Sequence, residues 1–599
     1  MTKLTEKKIP SLTENAKIIA EKRYLKVDSS GKPLETPSEM FERIAKFIAT
    51  AENDTSDKKI GYKKITKHAL NKLIEEFYEI QVNLEFLSGM SLLDRGTNDL
   101  FAACYVLPIH DSLESIYGTL KNAAILHRRG AGIGYDFSEV RPEGALIHST
   151  GKEASGPISF MKLYDFSSEI IMNRGSVRHA GHMGILRIDH PDIEKFIEAK
   201  QNYSELTNFN ISVAVTDEFL QALNENTTYN LKHNNKIYKK LSAKYIIEKI
   251  ATSIYNSGEP GFIFIDEINR HNPTKHIGPL TATNQCGEQP LLPYEACNLG
   301  SIVLNNFLLR DKSIDYLKPY ERINWKKLEK TITIATNFLD NTITISHHIL
   351  PEIEKMVKYG NRKIGIGVMG WADLLYELEI PYNSNEALDL AEKIMKFITQ
   401  KARQASIELG EKKGSFCNFS GSLWDRKGIK HIRNATVTTI APNGTTSLLA
   451  DCNGGIEPFF ALAYIRKNMK TIGDKTELIY LNKYLEKKLK DEWLYNRELM
   501  SEIIKTGSIM HIEKIPMRIK KVFVTALDIT PEWHIKMQAA FQKYTDNAVS
   551  KTINLPENTS IDKIIDAFKL AYKLHLKGLT IYRDKSRDKQ VLTINEKKT

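Results

Sequence analysis

The sequence contains few cysteines and no long apolar run. Only five cysteines occur among 599 residues, and no Cys-x-x-Cys pair is present. These features exclude a zinc knuckle and the disulfide framework of a secreted domain. No stretch of about 18 uncharged apolar residues exists, and the first residues lack an apolar signal core. We therefore expect a cytoplasmic protein with no membrane partner and no protein-bound metal.

The charge balance is basic, but the excess is scattered. The 84 Lys and Arg residues exceed the 73 Asp and Glu residues by 11. Lysine pairs such as Lys412-Lys413 and Lys487-Lys488 stand alone, and no basic stripe is interleaved with aromatic residues. This pattern predicts no nucleic-acid partner. A basic surplus still suits anionic small molecules such as nucleotides.

Three regions are distinguishable by their patterns. Residues 1–85 are polar and helical, residues 86–580 form the main domain, and residues 581–599 form a charged tail. Within the main domain, short runs typical of β-strands alternate with amphipathic helical runs. Strand–helix alternation on this scale predicts an α/β fold with parallel strands.

Three of the cysteines stand among glycines and other small residues. Cys286 lies in Asn284-Gln285-Cys286-Gly287-Glu288, Cys297 lies in Ala296-Cys297-Asn298-Leu299-Gly300, and Cys104 lies in Ala102-Ala103-Cys104-Tyr105. In an extended segment, Asn284, Cys286 and Glu288 would point to the same side, because strand side chains alternate. This arrangement predicts a reactive site in which an amide, a thiol and a carboxylate face one small ligand.

Two glycine-containing segments are candidate ligand contacts. The turn Pro442-Asn443-Gly444-Thr445-Thr446 follows a strand-like run and precedes an apolar one, which is typical of a phosphate-binding turn or of an ordinary helix cap. Gly130-Ala131-Gly132-Ile133-Gly134, flanked by arginines, permits close approach of the backbone to a ligand or serves as a plain turn.

One motif favours a different class of enzyme. Gly365-Ile366-Gly367-Val368-Met369-Gly370 matches the dinucleotide-binding fingerprint, which makes an NAD-dependent oxidoreductase the alternative. That reading requires an acidic residue at the end of a second strand. The downstream candidates Glu386 and Asp389 instead lie in a polar, helix-forming stretch.

Longer segments carry a resemblance to a known family. The segment from Asn284 to Ser301 closely resembles the radical-cysteine loop of ribonucleotide reductases, and most closely that of the adenosylcobalamin-dependent class. Similar segments follow in the family's order through most of the chain: Leu12–Ala16, Glu21–Leu25, Ser155–Lys162, Asp189–Ile193, Gly454–Pro458 and Tyr582–Leu592.

The resemblance implies a ten-stranded α/β barrel built from two five-stranded parallel halves, with Cys286 on a central finger loop. It implies that Cys286 becomes a thiyl radical that takes the 3′-hydrogen of the substrate ribose. Glu288 would act as general base on the 3′-hydroxyl, and Asn284 would bind the substrate. Cys104 and Cys297 would form the reducing pair, which closes a disulfide as water leaves.

The resemblance also implies ligand-binding residues. The substrate would contact Ser91, Ala103, Cys104, Gly132, the finger loop residues Asn284, Gln285, Cys286, Gly287 and Glu288, and the turn residues Pro442, Asn443, Gly444, Thr445 and Thr446. A deoxynucleoside triphosphate that selects the substrate base would contact Asp111, Ser112, Leu113, Arg141 and Arg178. The implied partners are a ribonucleotide substrate, a thioredoxin-like reductant and a second copy of the chain.

Three features depart from other branches of the family. Relatives that need a separate metal-containing radical subunit carry two adjacent tyrosines near the C-terminus, whereas this chain has Tyr582 followed by Arg583. We therefore expect adenosylcobalamin as the radical source, and a chain that depends on a metal subunit is the alternative. An N-terminal ATP-binding activity module is not expected. The tail cysteines that re-reduce the internal pair in relatives are also missing after Cys452.

Overall fold

The N-terminal region is helical and packs against the main domain. The computed structural model describes residues 8–53, 65–89, 101–174, 181–202, 204–314, 316–466 and 478–586. The N-terminal α-helices span Glu14–Ile19, Pro37–Ala49 and Lys67–Val82. A capping box between Thr36 and Glu39 begins the second helix. The ring of Phe77 packs edge-on against that of Phe338, with 5.1 Å between centroids, which joins this region to the main domain.

The main sheet of the described residues contains ten hydrogen-bonded strands. They are β1 (Phe86–Ser88), β2 (Cys104–Val106), β3 (Gly132–Asp136), β4 (His182–Arg187), β5 (Phe209–Val215), β6 (Gly261–Phe264), β7 (Ala296–Val303), β8 (Ile364–Met369), β9 (Thr552–Leu555) and β10 (Gly578–Arg583).

Two parallel halves close this sheet into a barrel. Strands β2, β3, β4, β5 and β6 pair in parallel in that order. The second half runs from β7 to β8, through the extended segment 436–440, to β9 and β10. Antiparallel pairing of β7 with β2 and of β10 with β6 joins the halves. The segment 436–440 makes only isolated bridges and is the tenth barrel strand, whereas β1 pairs beside the barrel with β7. The predicted barrel of two five-stranded halves is confirmed.

Helices cover the outer surface of the barrel, so its strands are buried on both faces. All six residues of β8 and five of the six residues of β4 are buried, as expected for parallel strands under a helical layer. The longer helices of this layer span Leu113–His127, Gly156–Arg174, Ala243–Ser257, Trp325–Ile345, Asn385–Lys413, Pro531–Gln542 and Ile561–Lys573. Shorter ones span Ile193–Glu198, Asp217–Asn224, Ile265–Arg270, Pro351–Met356, Trp371–Glu377, Leu423–Arg426, Thr446–Leu449, Lys483–Asp491, Arg497–Thr506 and Met517–Val522.

A small hairpin occupies the barrel interior and carries the finger loop. Its two short strands, Ala282–Thr283 and Pro290–Leu291, pair antiparallel. A Cβ atom added to Gly134 of β3 would lie 1.6 Å from the carbonyl oxygen of Thr283, and one added to Gly132 would lie about as close to the side chain of Gln285. The glycines of β3 therefore leave the space through which the hairpin passes.

The Gly-x-Gly-x-x-Gly motif has a packing role. Gly365 and Gly367 lie inside β8 and not in a turn after it. A Cβ atom on either glycine would lie 2.5 Å from an atom of Thr439 in the neighbouring barrel segment. The dinucleotide-binding interpretation is wrong here, because the glycines permit close contact between strands.

Candidate active site

The finger loop is fixed by two strands of the barrel and by the segment that precedes β9. Asn210 of β5 donates from Nδ2 to the carbonyl oxygen of Gln285 at 2.8 Å. The carbonyl oxygen of Glu288 accepts from Thr439 Oγ1 at 3.0 Å and from the Ala548 N–H at 2.9 Å. These bonds attach the loop to both halves of the barrel, so its position depends on the closed fold.

The loop is a tight turn, and the prediction of an extended segment is wrong. Residues 285–288 form turns and bends, and Gly287 has a φ of +81°, a left-handed conformation that favours glycine. Asn284 closes the turn through its Oδ1, which accepts from the Gln289 N–H at 3.0 Å. As a result, Cys286 lines a cavity, whereas Asn284 and Glu288 are buried in the interior.

Asn284 and Glu288 both contact the thiol of Cys104. Asn284 Nδ2 lies 3.1 Å from Cys104 Sγ, and Glu288 Oε1 lies 3.9 Å from the same sulfur. All three side chains are buried. The other carboxylate oxygen of Glu288, Oε2, has no hydrogen-bond partner among the described residues. A buried acceptor without a partner is costly, and a ligand hydroxyl at this position would satisfy it.

Cys104 and Cys297 lie directly opposite each other on neighbouring strands. The antiparallel register of β2 and β7 pairs Cys104 with Cys297. Directly opposed residues of antiparallel strands have Cα atoms about 4.5–5.5 Å apart and point to the same face. This separation lies within the range of about 4.4–6.8 Å that a disulfide spans. Both residues are thiols in this structure, so the fold places a reduced pair where a disulfide can close.

Burial shifts the acidity of two of these groups. It raises the pKa of Glu288 to about 7, against weaker opposing hydrogen bonds from Asn284 and Cys104. Burial likewise raises the pKa of Cys297 well above its usual value. A carboxyl group with a pKa near neutrality can both accept and return a proton at the pH of a cell.

Cys286 borders a cavity of about 490 Å³, a size typical of small-molecule sites. Beside this half-buried thiol the cavity is lined by β5, β6, β9 and β10 and by Pro442 of the predicted phosphate turn. Two lining amides, Gln285 and Gln538, each have an Oε1 atom without a partner among the described residues. The cavity therefore places a half-buried thiol beside amide side chains.

The predicted phosphate turn lies at the end of the segment 436–440. Asn443 adopts a left-handed backbone with φ of +56°, and its Oδ1 accepts from Ser301 Oγ of β7 at 2.9 Å. Gly444 has open space around it, whereas Thr445 and Thr446 are buried. Ser301 and Cys297 share a face of β7 because they are four residues apart. One strand therefore connects the thiol pair with the turn.

The remaining residues predicted to bind substrate fall into two groups. Ala103 and Gly132 lie beside the thiol pair: the Gly132 N–H donates to the Ala103 carbonyl at 2.8 Å, and Gly132 is in register with Cys104. Ser91 lies outside the described residues.

The residues predicted to bind the effector form a separate cluster at the surface. Arg141 forms an ion pair with Asp111 at 2.8 Å. Ser112 caps the helix Leu113–His127 by accepting from the Ser115 N–H. The side chain of Leu113 is 61% exposed, and Arg178 lies outside the described residues.

Sequence reasoning missed several residues that complete the site. Asn210 and Ala548 hold the finger loop but belong to no motif. Glu295 and Lys363 form a buried ion pair next to Cys297, with 2.6 Å between Oε2 and Nζ. An acidic residue two positions before a cysteine in an apolar strand was a detectable signal for Glu295, since a buried carboxylate needs a partner.

The described residues contain neither a membrane-spanning helix nor a cluster of metal ligands. No helix there is both long enough and apolar enough to cross a membrane. No group of three or more His, Cys, Asp or Glu side chains in this part of the chain could hold a metal ion.

The fold and site together define an enzyme that performs thiol redox chemistry on a ligand inside a closed α/β barrel. The chain matches the family models "Ribonucleotide reductase, all-alpha domain" over residues 10–89 and "Ribonucleotide reductase, barrel domain" over residues 102–432 and 426–582.

Individual relatives agree with these matches. The chain is 40% identical to the vitamin B12-dependent ribonucleoside-diphosphate reductases of Thermoplasma acidophilum, over 98% of this chain and 81% of that protein, and of Mycobacterium tuberculosis, over 96% and 80%. The solved Actinobacillus ureae class Id ribonucleotide reductase alpha subunit has the same fold, with a TM-score of 0.75 at 21% identity over 97% of this chain and 99% of that one. This chain belongs to the ribonucleotide reductase family.

Proposed function

We propose that this enzyme converts ribonucleoside diphosphates to 2′-deoxyribonucleoside diphosphates, the precursors of DNA, with adenosylcobalamin as its radical source. The observation that carries the proposal is the opposition of Cys104 and Cys297 beside Glu288 and Asn284. A reducing thiol pair, a near-neutral carboxyl group and a separate cavity-facing thiol are the groups that this reaction needs.

Cys286 and Glu288 act on the ribose. As a thiyl radical, Cys286 takes the 3′-hydrogen atom and becomes a thiol. Glu288 Oε2, which has no partner among the described residues, accepts the proton of the 3′-hydroxyl. The Asn284 amide, held by the Gln289 N–H, helps to position the sugar. At the end of the cycle Cys286 returns the hydrogen atom to C3′, and its radical is restored.

Cys104 and Cys297 supply the two electrons of the reduction. The 2′-hydroxyl leaves as water, hydrogen takes its place on C2′, and the two thiols lose two hydrogen atoms in total as their sulfur atoms bond. In the overall reaction, a ribonucleotide and a dithiol give a deoxyribonucleotide, water and a disulfide. A dithiol of the thioredoxin-like kind then restores both thiols by exchange. The tail cysteines of relatives are not needed if this reductant reaches the pair directly.

The cavity at Cys286 opens on side chains that can hydrogen-bond the amides of adenosylcobalamin, while the body of the cofactor would lie outside its volume of about 490 Å³. Its lining offers amide and hydroxyl groups, including Asn210, Ser212 and Asn554. When bound, adenosylcobalamin would supply, by homolysis of its carbon–cobalt bond, the carbon radical that takes the hydrogen atom of the Cys286 thiol.

The residues near the C-terminus support this radical source over a metal-containing subunit. Tyr582 lines the cavity, but Arg583 turns away and stacks on Tyr255, with 4.1 Å from Cζ to the ring centroid. Its Nε donates to the Tyr255 carbonyl at 2.9 Å. A pair of stacked tyrosines that could relay a radical is therefore not formed at these two positions.

The phosphates of the substrate are assigned to the turn 442–446. Its open Gly444 and the hydroxyls of Thr445 and Thr446 suit phosphate oxygens. Along β7, Ser301 lies between this turn and the thiol pair and holds Asn443. The diphosphate at one end and the ribose at the other would span the distance between them.

The effector and a second copy of the chain are assigned to the surface near Asp111. Leu113 and Tyr117 on one helix, and Phe166 and Ile170 on the helix packed beside it, are 53–62% exposed. Such an apolar patch on two adjacent helices suits a homodimer interface. Arg141 and Ser112 at its edge would bind the phosphates of a deoxynucleoside triphosphate.

Five cysteines, all thiols, suit a reducing cytoplasm.

An anaerobic assay tests the function. The purified chain is incubated with cytidine diphosphate and dithiothreitol, with and without adenosylcobalamin, and deoxycytidine diphosphate is quantified. We expect product only with the cofactor, and none from Cys286→Ala. Turnover that appears only after an iron- or manganese-containing subunit is added would contradict the choice of cofactor. Dependence on NAD would contradict the reaction.

A further inference from the structure

A fully buried ion pair lies next to the thiol pair. Lys363 Nζ and Glu295 Oε2 are 2.6 Å apart, and the two side chains are only 2% and 1% exposed. Burying two charges costs several kcal/mol in desolvation per ion, and apolar residues often replace such pairs without loss of stability. This cost favours a role beyond packing.

Strand register places this pair on the face that carries the thiols. In the parallel pairing of β7 and β8, Asn298 is opposite Ile364 and Leu299 is opposite Gly365. If this register is extended by one residue toward the N-terminus of both strands, Lys363 lies opposite Cys297. Glu295 precedes β7 but continues its pairing with β2, because the Val106 N–H donates to the Glu295 carbonyl at 3.2 Å, so Glu295 and Cys297 share a face. The interior cluster that contains Cys297 also contains Ala282 and Leu291 of the finger hairpin, so this face points into the barrel.

Glu295 is held in place by other donors. Its Oε2 also accepts from the Leu292 N–H at 2.6 Å, and its Oε1 accepts from Asn361 Nδ2. With the carboxylate fixed, the ammonium group of Lys363 is fixed beside Cys297. Lys363 immediately precedes β8, and Glu295 immediately precedes β7.

We propose that Lys363 stabilises the thiolate of Cys297 while the oxidised pair is re-reduced, and that Glu295 positions Lys363 for this task. The inference deepens the proposed function and rests on it. A thiolate of an external dithiol attacks Cys104 Sγ and bonds to it. The Cys104–Cys297 bond breaks, and its electron pair stays on Cys297. The second thiol of the reductant then displaces Cys104 as a thiolate, and both cysteines take up protons.

The surroundings of the two sulfurs assign these roles. Cys104 contacts Asn284 and Glu288 and therefore faces the substrate side of the site. Cys297 lies deeper among apolar side chains, where a thiolate without compensation is costly. Burial raises the pKa of Cys297, and the ammonium of Lys363 is the next largest influence and lowers it, against Glu295 and Glu288. A leaving thiol departs faster when its thiolate is stabilised.

The first test measures the reduction of the oxidised chain by dithiothreitol, with no substrate or cofactor present. Quenched alkylation and mass spectrometry follow the Cys104–Cys297 disulfide over time. The double substitution Lys363→Gln with Glu295→Gln removes both charges and should slow reduction by about 10-fold or more. Lys363→Arg keeps the charge and should retain a rate within about threefold of the unmodified chain.

A matched control uses another buried pair. Lys413 and Glu52 are 2.6 Å apart and about 10% exposed, but they join the N-terminal region to helix Asn385–Lys413. Lys413→Gln with Glu52→Gln should leave the reduction rate unchanged. Equal rates in the unmodified chain and the Lys363/Glu295 variant would overturn the proposal, as would an equal loss in Lys363→Arg.

A second test needs no substitution, in case the double variant does not fold. Oxidised chain is treated briefly with glutathione, quenched in acid and digested, and the adduct is located by mass spectrometry. We expect glutathione on Cys104. An adduct mainly on Cys297 would overturn the proposal. Because neither test uses a nucleotide, failure of the proposed function appears separately, as absence of deoxynucleotide in the assay above.

Discussion

The barrel interior and the surface near Asp111 are built in different ways. Around the thiols, Asn284, Glu288, Cys104 and Cys297 are buried and fixed by strand register and by hydrogen bonds from several strands. At the surface, the Arg141–Asp111 ion pair is partly exposed, and it lies near large exposed apolar side chains such as Leu113. In the interior, one chain supplies all four of these buried side chains, whereas at the surface apolar side chains remain exposed to solvent.

This difference predicts how each region responds to change. Interior side chains are shielded from solvent, so water cannot replace the hydrogen bonds of a side chain that is removed by substitution. Surface groups act through a partner or an effector, so their loss should change regulation and association more than chemistry. The following substitutions test this contrast, from the largest expected effect to the smallest.

Cys286→Ala should abolish turnover and preserve the fold. The thiol is half-buried at a cavity, so its removal leaves little packing defect. No other side chain can take its place as the hydrogen-abstracting group. Deoxynucleotide formation and equilibrium binding of cytidine diphosphate are the measurements. Residual turnover above background would contradict the role of Cys286.

Cys297→Ser should permit at most one abortive or incomplete cycle. Serine cannot close a disulfide with Cys104 across the β2–β7 pair. Product per chain after extended incubation with dithiothreitol is the measurement, and Cys417→Ser, a substitution of an exposed cysteine, is the control. Sustained turnover in Cys297→Ser would show that another thiol supplies the electrons.

Glu288→Gln should lower kcat by about 10²–10⁴-fold, the usual contribution of a positioned acid–base group. Burial raises the pKa of Glu288 to about 7, and the base must be ionised to accept a proton. In the unmodified enzyme kcat/KM should therefore rise with pH through about 7. The glutamine variant should lack this rise. A rise that persists in the variant would assign it to another group.

Arg141→Ala should uncouple substrate choice from the effector and leave the basal rate nearly unchanged. The guanidinium forms an ion pair with Asp111 and is partly exposed at the surface, whereas the thiol pair is buried. Effector coupling is typically about 1–3 kcal/mol, or about 5–150-fold in affinity. Rates with four competing ribonucleotides, with and without a deoxynucleoside triphosphate, measure it. Lys152→Ala, on the exposed two-residue strand Lys152–Glu153, serves as the control.

Phe166→Lys combined with Ile170→Lys should dissociate the proposed dimer, with the smallest effect on chemistry. Both side chains are about 60% exposed on helix Gly156–Arg174. Light scattering after gel filtration measures the mass. Ile237 is 54% exposed on the strand Lys236–Ser242, and Ile237→Lys should leave the measured mass unchanged. A monomeric unmodified chain would contradict the assignment of this patch.

The sequence predicted the barrel better than it predicted the local geometry of the candidate site. The ten-stranded arrangement followed from the resemblance, and register places Cys104 and Cys297, far apart in sequence, face to face. The prediction that residues 284–288 are extended was wrong, because Gly287 adopts a left-handed backbone conformation that turns the chain. A short motif cannot distinguish a strand from a turn when glycine permits both.

The supporting residues could not be predicted, because they act only through the closed barrel. Asn210 and Thr439 come from different halves and meet at the finger loop. Lys363 follows Cys297 by many residues and becomes its neighbour only through the β7–β8 register. The glycines of β8 matched a nucleotide-binding motif, although their spacing serves strand packing around Thr439. Such contacts are tertiary, and sequence spacing does not encode them.

The most direct test is the stoichiometry of one turnover. Fully reduced chain is given cytidine diphosphate and adenosylcobalamin without external reductant, and product and thiols are measured together. The account predicts one Cys104–Cys297 disulfide for each deoxynucleotide, with Cys286 recovered as a thiol. Product formed while Cys104 and Cys297 both remain open to alkylation after denaturation would contradict it.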